Sequence, residues 1–368
     1  MDTITPLQRE DIPDVSRLFT KVFRHRDEVG SPSMQAYLDL LYLKNPWSTP
    51  SLTSLISRDA HGHLMGFIGS IPRPMLVRRR RIMTVVAGNH MVDPTVKDPF
   101  VAVRLLRTLL GQGQELTFSD SANPASCRMW EGIGGRVELQ YSLRWIRLLK
   151  PLSTLASTAS GRLGVPLLGN LVWPLTALVD LPLDRMLLNR GIRREARSLR
   201  GGSLDPATLA QLSERFGAKQ DLQPSYDEAG LEWLLSLARQ KDQYGPLSAR
   251  VVTDGSQVIG AHMVHCKWNQ TAEVLSLLWK PGFARQVISH LFTSVLRSGG
   301  VAVMGRANPW DVSALSSCGS LFFQRSASTV VHSKNPDILN IIAHGNAWLS
   351  RLEGEWWTRL QGDRFEEA

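Results

Sequence analysis

The sequence predicts an α/β chain of the α+β type, made of two similar units in tandem, each a mixed, mostly antiparallel sheet flanked by helices. Three observations predict it. At 368 residues the chain is too long for one ordinary core and suits two domains of common size plus a connector. The order helix, hairpin strands, helix, strand, helix, strand is written in the first half and again in the second. Finally, Ala122-Asn123-Pro124 is answered by Ala307-Asn308-Pro309, and eleven residues after each asparagine stands a glycine, Gly134 and Gly319.

Taken in order, Ile12, Val15, Leu18, Phe19 and Val22 recur at helical spacing over 7–23, with Asp11 and Asp14 near the start, where the helix dipole favours carboxylates. Strands are expected over 54–57, 66–77 and 82–92, the first two parted by the turn Asp59-Ala60-His61-Gly62. The last two are joined by Arg78-Arg79-Arg80-Arg81, which reads as a solvated hairpin turn or as a contact for phosphate or lipid head groups. Beyond Asp93-Pro94-Thr95, Val101, Val103, Leu105, Leu106, Leu109 and Leu110 mark a helix. A strand over 116–119, a short helix over 124–131 and one last strand over 137–149 complete the first unit.

In the second half, Asp254-Gly255 feeds a strand through Gly260 as Asp59 does through Gly66, Leu278-Trp279-Lys280-Pro281 answers Met91-Val92-Asp93-Pro94, and a helix over 285–296 answers 101–110. Asn and Pro start turns and cap helices everywhere, so it is their joint recurrence that argues for duplication. The boundaries that follow are 1–150 and 204–335 for the units, 151–203 for an apolar and basic connector with Gly201-Gly202-Ser203 as a hinge, and 336–368 for a helical tail.

The connector carries no charge over 163–179, where Pro166 and Pro174 make a poor spanning helix, and Arg185, Arg190, Arg193, Arg194, Arg197 and Arg200 follow. Packing between domains and lying on anionic lipid through 163–200 are the two readings. The net charge is +9 with a pI near 9.8, a surface that attracts anions. No DNA- or RNA-binding motif accompanies the charge and the eleven tryptophans are scattered, so nucleic acid is not an expected partner. Cys127, Cys266 and Cys318 stand far apart and read as reduced thiols, with no metal expected. Residues 1–6 lack the charged and apolar regions of a secretory leader, so a cytoplasmic location is expected, with the inner face of the membrane as the peripheral alternative. No P-loop, no dinucleotide fingerprint and no H-E-x-x-H occurs.

The order of elements and these residues together resemble the GNAT superfamily of acyl-CoA-dependent N-acyltransferases, as two copies over 3–147 and 204–332. In that family a strand ends in a V-x-P turn, and amides at the following helix start hold the coenzyme A diphosphate. Here the stretch is Val92-Asp93-Pro94-Thr95-Val96-Lys97-Asp98-Pro99-Phe100-Val101-Ala102. The resemblance implies that Val92, Lys97, Phe100, Val101, Ala102 and Asn123 contact acetyl-CoA or another acyl-CoA. Lys97 stands where the family carries Arg or Gln, and Phe100 where it has glycine. Trp130 falls near the tyrosine that often protonates the leaving thiolate, and indole cannot act as an acid.

For the proton-accepting role the candidates are His90, as the nearest imidazole, and Asp120 beside Asn123. A lone histidine on a strand also reads as ordinary hydrogen-bonded structure. His262 and His265 are expected on opposite faces of one strand and so not to share a metal. The layout and the aromatic end Gly354-Glu355-Trp356-Trp357 resemble tandem bacterial members found beside polysaccharide-assembly functions. Two functions are implied: acyl transfer to an amine of a small molecule or saccharide precursor, or an inactive binding or scaffold protein of the same fold, the latter favoured by Pro99, Phe100 and Trp130. Oligomeric state is not legible.

Overall fold

The computed structural model describes residues 3–151, 190–217, 219–324 and 327–358. The charge-free stretch 163–179 lies outside them. In chain order the elements are β1 (Thr3–Pro6), α1 (Ile12–Phe19), α2 (Pro32–Tyr42), β2 (Leu55–Arg58), β3 (Leu64–Val77), β4 (Arg80–Val92), α3 (Val101–Leu110), β5 (Leu116–Ala122), α4 (Pro124–Glu131), β6 (Arg136–Glu138) and β7 (Arg144–Leu148). There follow α5 (Arg190–Glu195), β8 (Leu199–Ser203), α6 (Pro206–Gly217), β9 (Leu222–Pro224), α7 (Glu228–Arg239), β10 (Leu247–Asp254), β11 (Gln257–His265) and β12 (Thr271–Trp279). The last are α8 (Ala284–Arg297), β13 (Ala302–Arg306), α9 (Val312–Ser317), β14 (Leu321–Phe323), β15 (Ser328–His332) and α10 (Pro336–Ala343).

The expected fold class is what is found: two mostly antiparallel sheets with flanking helices. One sheet runs β1-β2-β3-β4-β5-β15-β6, with β9 on β3, and the other β8-β10-β11-β12-β13-β7-β14. From matching edges the two orders correspond place by place, and among the described residues each has one parallel pair, β4 with β5 and β12 with β13. The sixth place is exchanged. It is filled in the first sheet by β15, from the second half, and in the second by β7, from the first half. The compact units are accordingly interleaved in sequence, one of 1–142, 220–243 and 326–368 and the other of 143–219 and 244–325. They differ from the contiguous stretches 1–150 and 204–335.

The exchange corrects the single strand expected over 137–149. The chain leaves the first sheet after β6 through a 3-10 turn, Leu139–Tyr141, and re-enters as β7 in the second. Ser142 fixes the break: its Oγ donates to the Glu138 carbonyl at 2.9 Å and accepts the Thr329 amide at 2.9 Å. Val137, Leu139, Tyr141, Leu143 and Trp145 alternate without interruption, which hides the break; yet Leu139 is 60% exposed while Tyr141 and Trp145 are fully buried.

Other elements follow local chemistry. Over 7–23 the chain forms a 3-10 turn, then α1, then a π turn ended by His25 at φ 56°, rather than one helix. The β3–β4 hairpin turns on Arg78 and Arg79, both at positive φ, as a tight hairpin between twisted strands demands. Of the residues expected to form a hinge, Gly201-Gly202-Ser203, all three are paired in β8 against β10, so the glycines are sheet edge. Asn123 and Asn308 each stand before a proline at a helix start, and Gly134 and Gly319 close α4 and α9 with φ 92° and 78°. The recurrent motif is thus two copies of one helix-capping device. In 336–358, α10 and a 3-10 turn over Arg351–Glu353 are the helical parts. The core of the first unit packs Leu105, Leu106 and Leu109 of α3 on Ile68, Val85 and Ala87 of the sheet. In the second, Ile288, Leu291 and Phe292 of α8 pack on Ile259, Val274 and Trp145.

Candidate active site

In the first unit β4 and β5 are hydrogen-bonded over only Thr84 to Val86 against Leu116 to Phe118, and beyond that each strand runs on to its own end. A bulge interrupts β4: the register pairs Gly69 with Gly88 and Phe67 with Met91, so Ile68 faces both Asn89 and His90. Asn89 takes a left-handed φ of 46°, a region Asn tolerates better than most residues, and its Nδ2 donates to Tyr42 Oη at 2.9 Å. A cleft of about 300 Å³ opens at this place, lined by Asn89 and His90 of β4, Ser119 and Ser121 of β5, Asn123 of α4, and Glu355.

Glu355 arrives on the segment that ends the described chain, and that segment is tied down residue by residue. Buried Arg73 donates to the carbonyls of Leu352 and Gly354. Tyr226 donates to Glu353 Oε1 at 2.8 Å, and burial pushes the Glu353 carboxyl up to about 7 despite that bond and the Arg73 charge. Asp120 Oδ1 accepts the amides of Glu355 and Trp356, each at 2.9 Å. Tyr37 and Lys241 both donate to the Thr358 carbonyl, at 3.0 and 3.3 Å. Gly354 is required by closeness: a Cβ there would lie 2.1 Å from Asp120 Oδ2. So held, Glu355 Oε1 accepts from Ser119 Oγ at 3.0 Å and from Ser121 Oγ.

A second bulge explains why three successive β5 residues serve one segment. β15 pairs Ser328 with Ala122 and Val330 with Ser119, which sets Thr329 against both Asp120 and Ser121 and breaks the period-two alternation.

The residues singled out by sequence divide as follows. His90 and Asn123 line the cleft. His90 is half-buried, burial pulls its pKa down to about 4 with the Ala102 backbone acting the other way, and its Nε2 has no partner among the described residues. Asn123 caps α4, accepting the Ser126 amide at 2.8 Å. Asp120 is the buried anchor of the segment just described. Val92 ends β4 half-exposed, Val101 is buried under α3, and Ala102 meets His90 through its backbone. Lys97 lines another cleft, of about 670 Å³, with Asp93 and Asp98.

At the start of α3, Asp98 Oδ1 accepts the Phe100 amide at 2.8 Å and Oδ2 accepts from Arg104 at 2.7 Å, so the carboxylate is held beside the helix start without capping its first turn. The Phe100 ring is 63% exposed and does not fill that place. Glu355 and the two serines were missed. Glu355 stands in the aromatic end Gly354-Glu355-Trp356-Trp357, and no spacing rule ties that end to β5 two hundred residues and more upstream.

In the second unit the buried Trp145 of β7 lies against Gly305 of β13 and donates Nε1 to the Arg306 carbonyl at 3.2 Å, while Arg144 pairs with buried Glu273 at 2.8 Å. His262 meets His290 at 2.9 Å, and His265 Nδ1 meets the Gly245 carbonyl at 2.8 Å, so the two histidines of β11 serve different neighbours.

No protein-family model and no curated protein matches the sequence. Solved structures do. A GCN5-related N-acetyltransferase from Anabaena variabilis is 10% identical, with 91% of this chain and 74% of that one covered at a TM-score of 0.59. A probable N-acyltransferase from Enterococcus faecalis is 9% identical, over 90% and 73%, at 0.57. The N-myristoyltransferase of Saccharomyces cerevisiae, solved with bound myristoyl-CoA, is 12% identical, over 91% and 81%, at 0.52. The chain therefore shares the fold of these solved structures, among them a GCN5-related N-acetyltransferase, in keeping with the resemblance read from the sequence, and its two sheets fit a tandem arrangement.

Proposed function

We propose that the first unit is an acyltransferase that carries an acyl group from acetyl-CoA or a longer acyl-CoA to an amine of a small molecule or saccharide precursor, with Glu355 as proton acceptor. The observation that carries the reading is the buried Glu355 carboxylate, held between the hydroxyls of Ser119 and Ser121 and facing the bulge at Asn89 and His90. In the step, the amine nitrogen attacks the thioester carbonyl carbon, the C–N bond forms and the C–S bond breaks. The proton shed by nitrogen passes to Glu355 and returns, through Ser121, to the departing thiolate. The bulge at Asn89 and His90 interrupts the ladder beside the carboxylate, the place where this reading puts the oxyanion. His90, neutral at pH 7, lines the wall of the cleft beside the bulge. Asp120 acts through Glu355 as a positioning residue, and Asn123 shapes the mouth by fixing the start of α4.

At the far end of the donor the residues fit less well. Val92, Lys97, Phe100, Val101 and Ala102 frame the start of α3, where the resemblance puts the diphosphate, and there the Asp98 carboxylate opposes an anion while Lys97 supplies the counter-charge. The Asp98 carboxylate at that place, with Pro99 and Phe100 beside it and Trp130 in place of an acidic tyrosine, favours the second reading, a binding or scaffold protein of the same fold. Calorimetric titration with acetyl-CoA and with a longer acyl-CoA separates the two. Heat that is lost in Lys97→Ala and grows in Asp98→Ala supports the donor site; no heat from either ligand in any of the three proteins leaves the scaffold.

A further inference from the structure

We infer that the cleft of the first unit selects its acceptor by charge, taking a primary amine with no anionic group on the carbon that bears it, and that Tyr42 and Asn89 set this preference. The inference rests on the acyltransferase reading of the cleft and names the class of acceptor within it. What carries it is which side-chain atoms beside the carboxylate still have a proton to give.

A serine hydroxyl has one proton and two lone pairs, and an asparagine amide donates at one end, Nδ2, and accepts at the other, Oδ1. Ser119 Oγ gives its proton to Glu355 Oε1 at 3.0 Å, accepts the Ser121 amide at 3.4 Å and keeps one lone pair. Ser121 Oγ also gives its proton to Glu355 Oε1, and its lone pairs remain. Asn89 directs Nδ2 to Tyr42 Oη at 2.9 Å, which leaves Oδ1, without a bond among the described residues, to the cleft that Asn89 lines. Tyr42 is a firm anchor for that amide: it is buried on α2, its ring meets Phe67 edge to face at 5.1 Å, and Gly69 lies directly against it.

Oxygens that accept match a group that donates. An alkylammonium brings three N–H donors and no lone pair, whereas a carboxylate or phosphate beside the amine meets the lone pairs of Asn89, Ser119 and Ser121. The apolar part of the lining, with Ile68, Trp130 and the Phe23 ring that the π turn presents beside Phe19, suits an uncharged body. Asn123 caps α4 with Oδ1 and keeps Nδ2 as a donor, but it stands exposed at the mouth. The restriction therefore applies to the carbon that bears the amine and not to the far end of the acceptor.

Phenethylamine, phenylalaninamide and phenylalanine test this on the full chain, the last two being alike in size and different in charge. Calorimetric titration, with and without coenzyme A, should show phenylalanine binding about a hundredfold more weakly than phenylalaninamide. In Tyr42→Phe the Asn89 amide is released to turn Nδ2 inward, and the gap should narrow about tenfold, a change of preference that looser packing alone does not produce. Asn89→Gly keeps the left-handed backbone and removes Oδ1; it should narrow the gap about fivefold, and it carries the test should circular dichroism show Tyr42→Phe unfolded. Equal binding of phenylalanine and phenylalaninamide, rejection of both while phenethylamine binds, no heat from any of the three, or an unchanged gap in the folded variants would each overturn the inference. The expected preference in binding, with no acyl transfer from acetyl-CoA to any of these amines, would instead overturn the acyltransferase reading and leave the charge preference standing.

Discussion

Asp120 accepts the backbone amides of Glu355 and Trp356, each at 2.9 Å, and by that clamp a strand of the first half determines where a carboxylate from the end of the described chain lies. Removal of the clamp should cost both stability and position. Asp120→Ala leaves two buried amides without their acceptor, and we expect a loss of about 3 kcal/mol, read from the midpoint of urea unfolding. Acyl transfer should fall with it.

Glu355→Gln should separate chemistry from folding. The amide still accepts from Ser119 and Ser121, so the unfolding midpoint should stay near that of the native protein. The rate of acyl transfer to an amine should fall by about 10² or more, the usual contribution of a positioned base. Unchanged turnover in Glu355→Gln would remove it from the proton pathway.

Gly69 is fixed by a neighbour and not by its backbone angles. A Cβ there would stand 2.4 Å from the Tyr42 ring, whose hydroxyl holds Asn89 in the bulge. Gly69→Ala should destabilise by about 2 kcal/mol as an overpacked site and loosen the bulge. Loss of kcat with little change in donor affinity is the expected kinetic result.

Acid stability should reflect buried histidines. Burial, with His290 and Arg250 nearby, lowers His262 to about 3, and burial lowers His90 to about 4. An unfolded histidine titrates near 6.5, so between that value and the folded pKa the unfolded chain binds more protons. The stability these residues contribute is complete above about pH 6.5 and is lost as the pH falls toward 4 and below. Glu353, raised to about 7, acts in the opposite sense: its contribution is complete below the unfolded carboxyl pKa and fades as the pH rises through 7. Urea unfolding from pH 7 to pH 4 should show a decline that shrinks in His262→Gln, by an amount of order 3 kcal/mol at the acid end. In Glu353→Gln the decline should steepen.

The exchanged strands predict how the chain tolerates cutting. A chain ended at residue 325 lacks β15, whose Val330 and Val331 are fully buried in the first unit and whose loss leaves β5 an open edge. Hydrogen exchange should find the amides of β3, β4 and β5 unprotected in that chain, while those of β11 and β12 in the second unit stay protected.

Local chemistry was legible throughout. Apolar periodicity placed α3, capping placed α4 to the residue, and the recurrence of Ala-Asn-Pro with its glycine disclosed the duplication, because each signal acts over a few neighbouring residues. The strand break at Ser142 was not legible, since the alternation of Val137 to Trp145 passes through it and only the bond to Thr329 marks it. Nor was the bulge between β15 and β5 that brings Ser119, Asp120 and Ser121 to a single segment. His90 and Asn123, which line the cleft, lie beside recurrent turns, whereas Glu355 belongs to no local pattern.

What the sequence determined by itself was therefore the inventory: two copies of one α/β unit, their helices, hairpins and caps. Which strand completes which sheet and which carboxylate lines the cleft of the first unit were decided only in the tertiary structure. The reason is physical. Helices and turns are settled by interactions within a few residues, but a sheet place or a buried charge is settled by partners hundreds of positions away, whose pairing costs chain entropy that only the assembled core offsets.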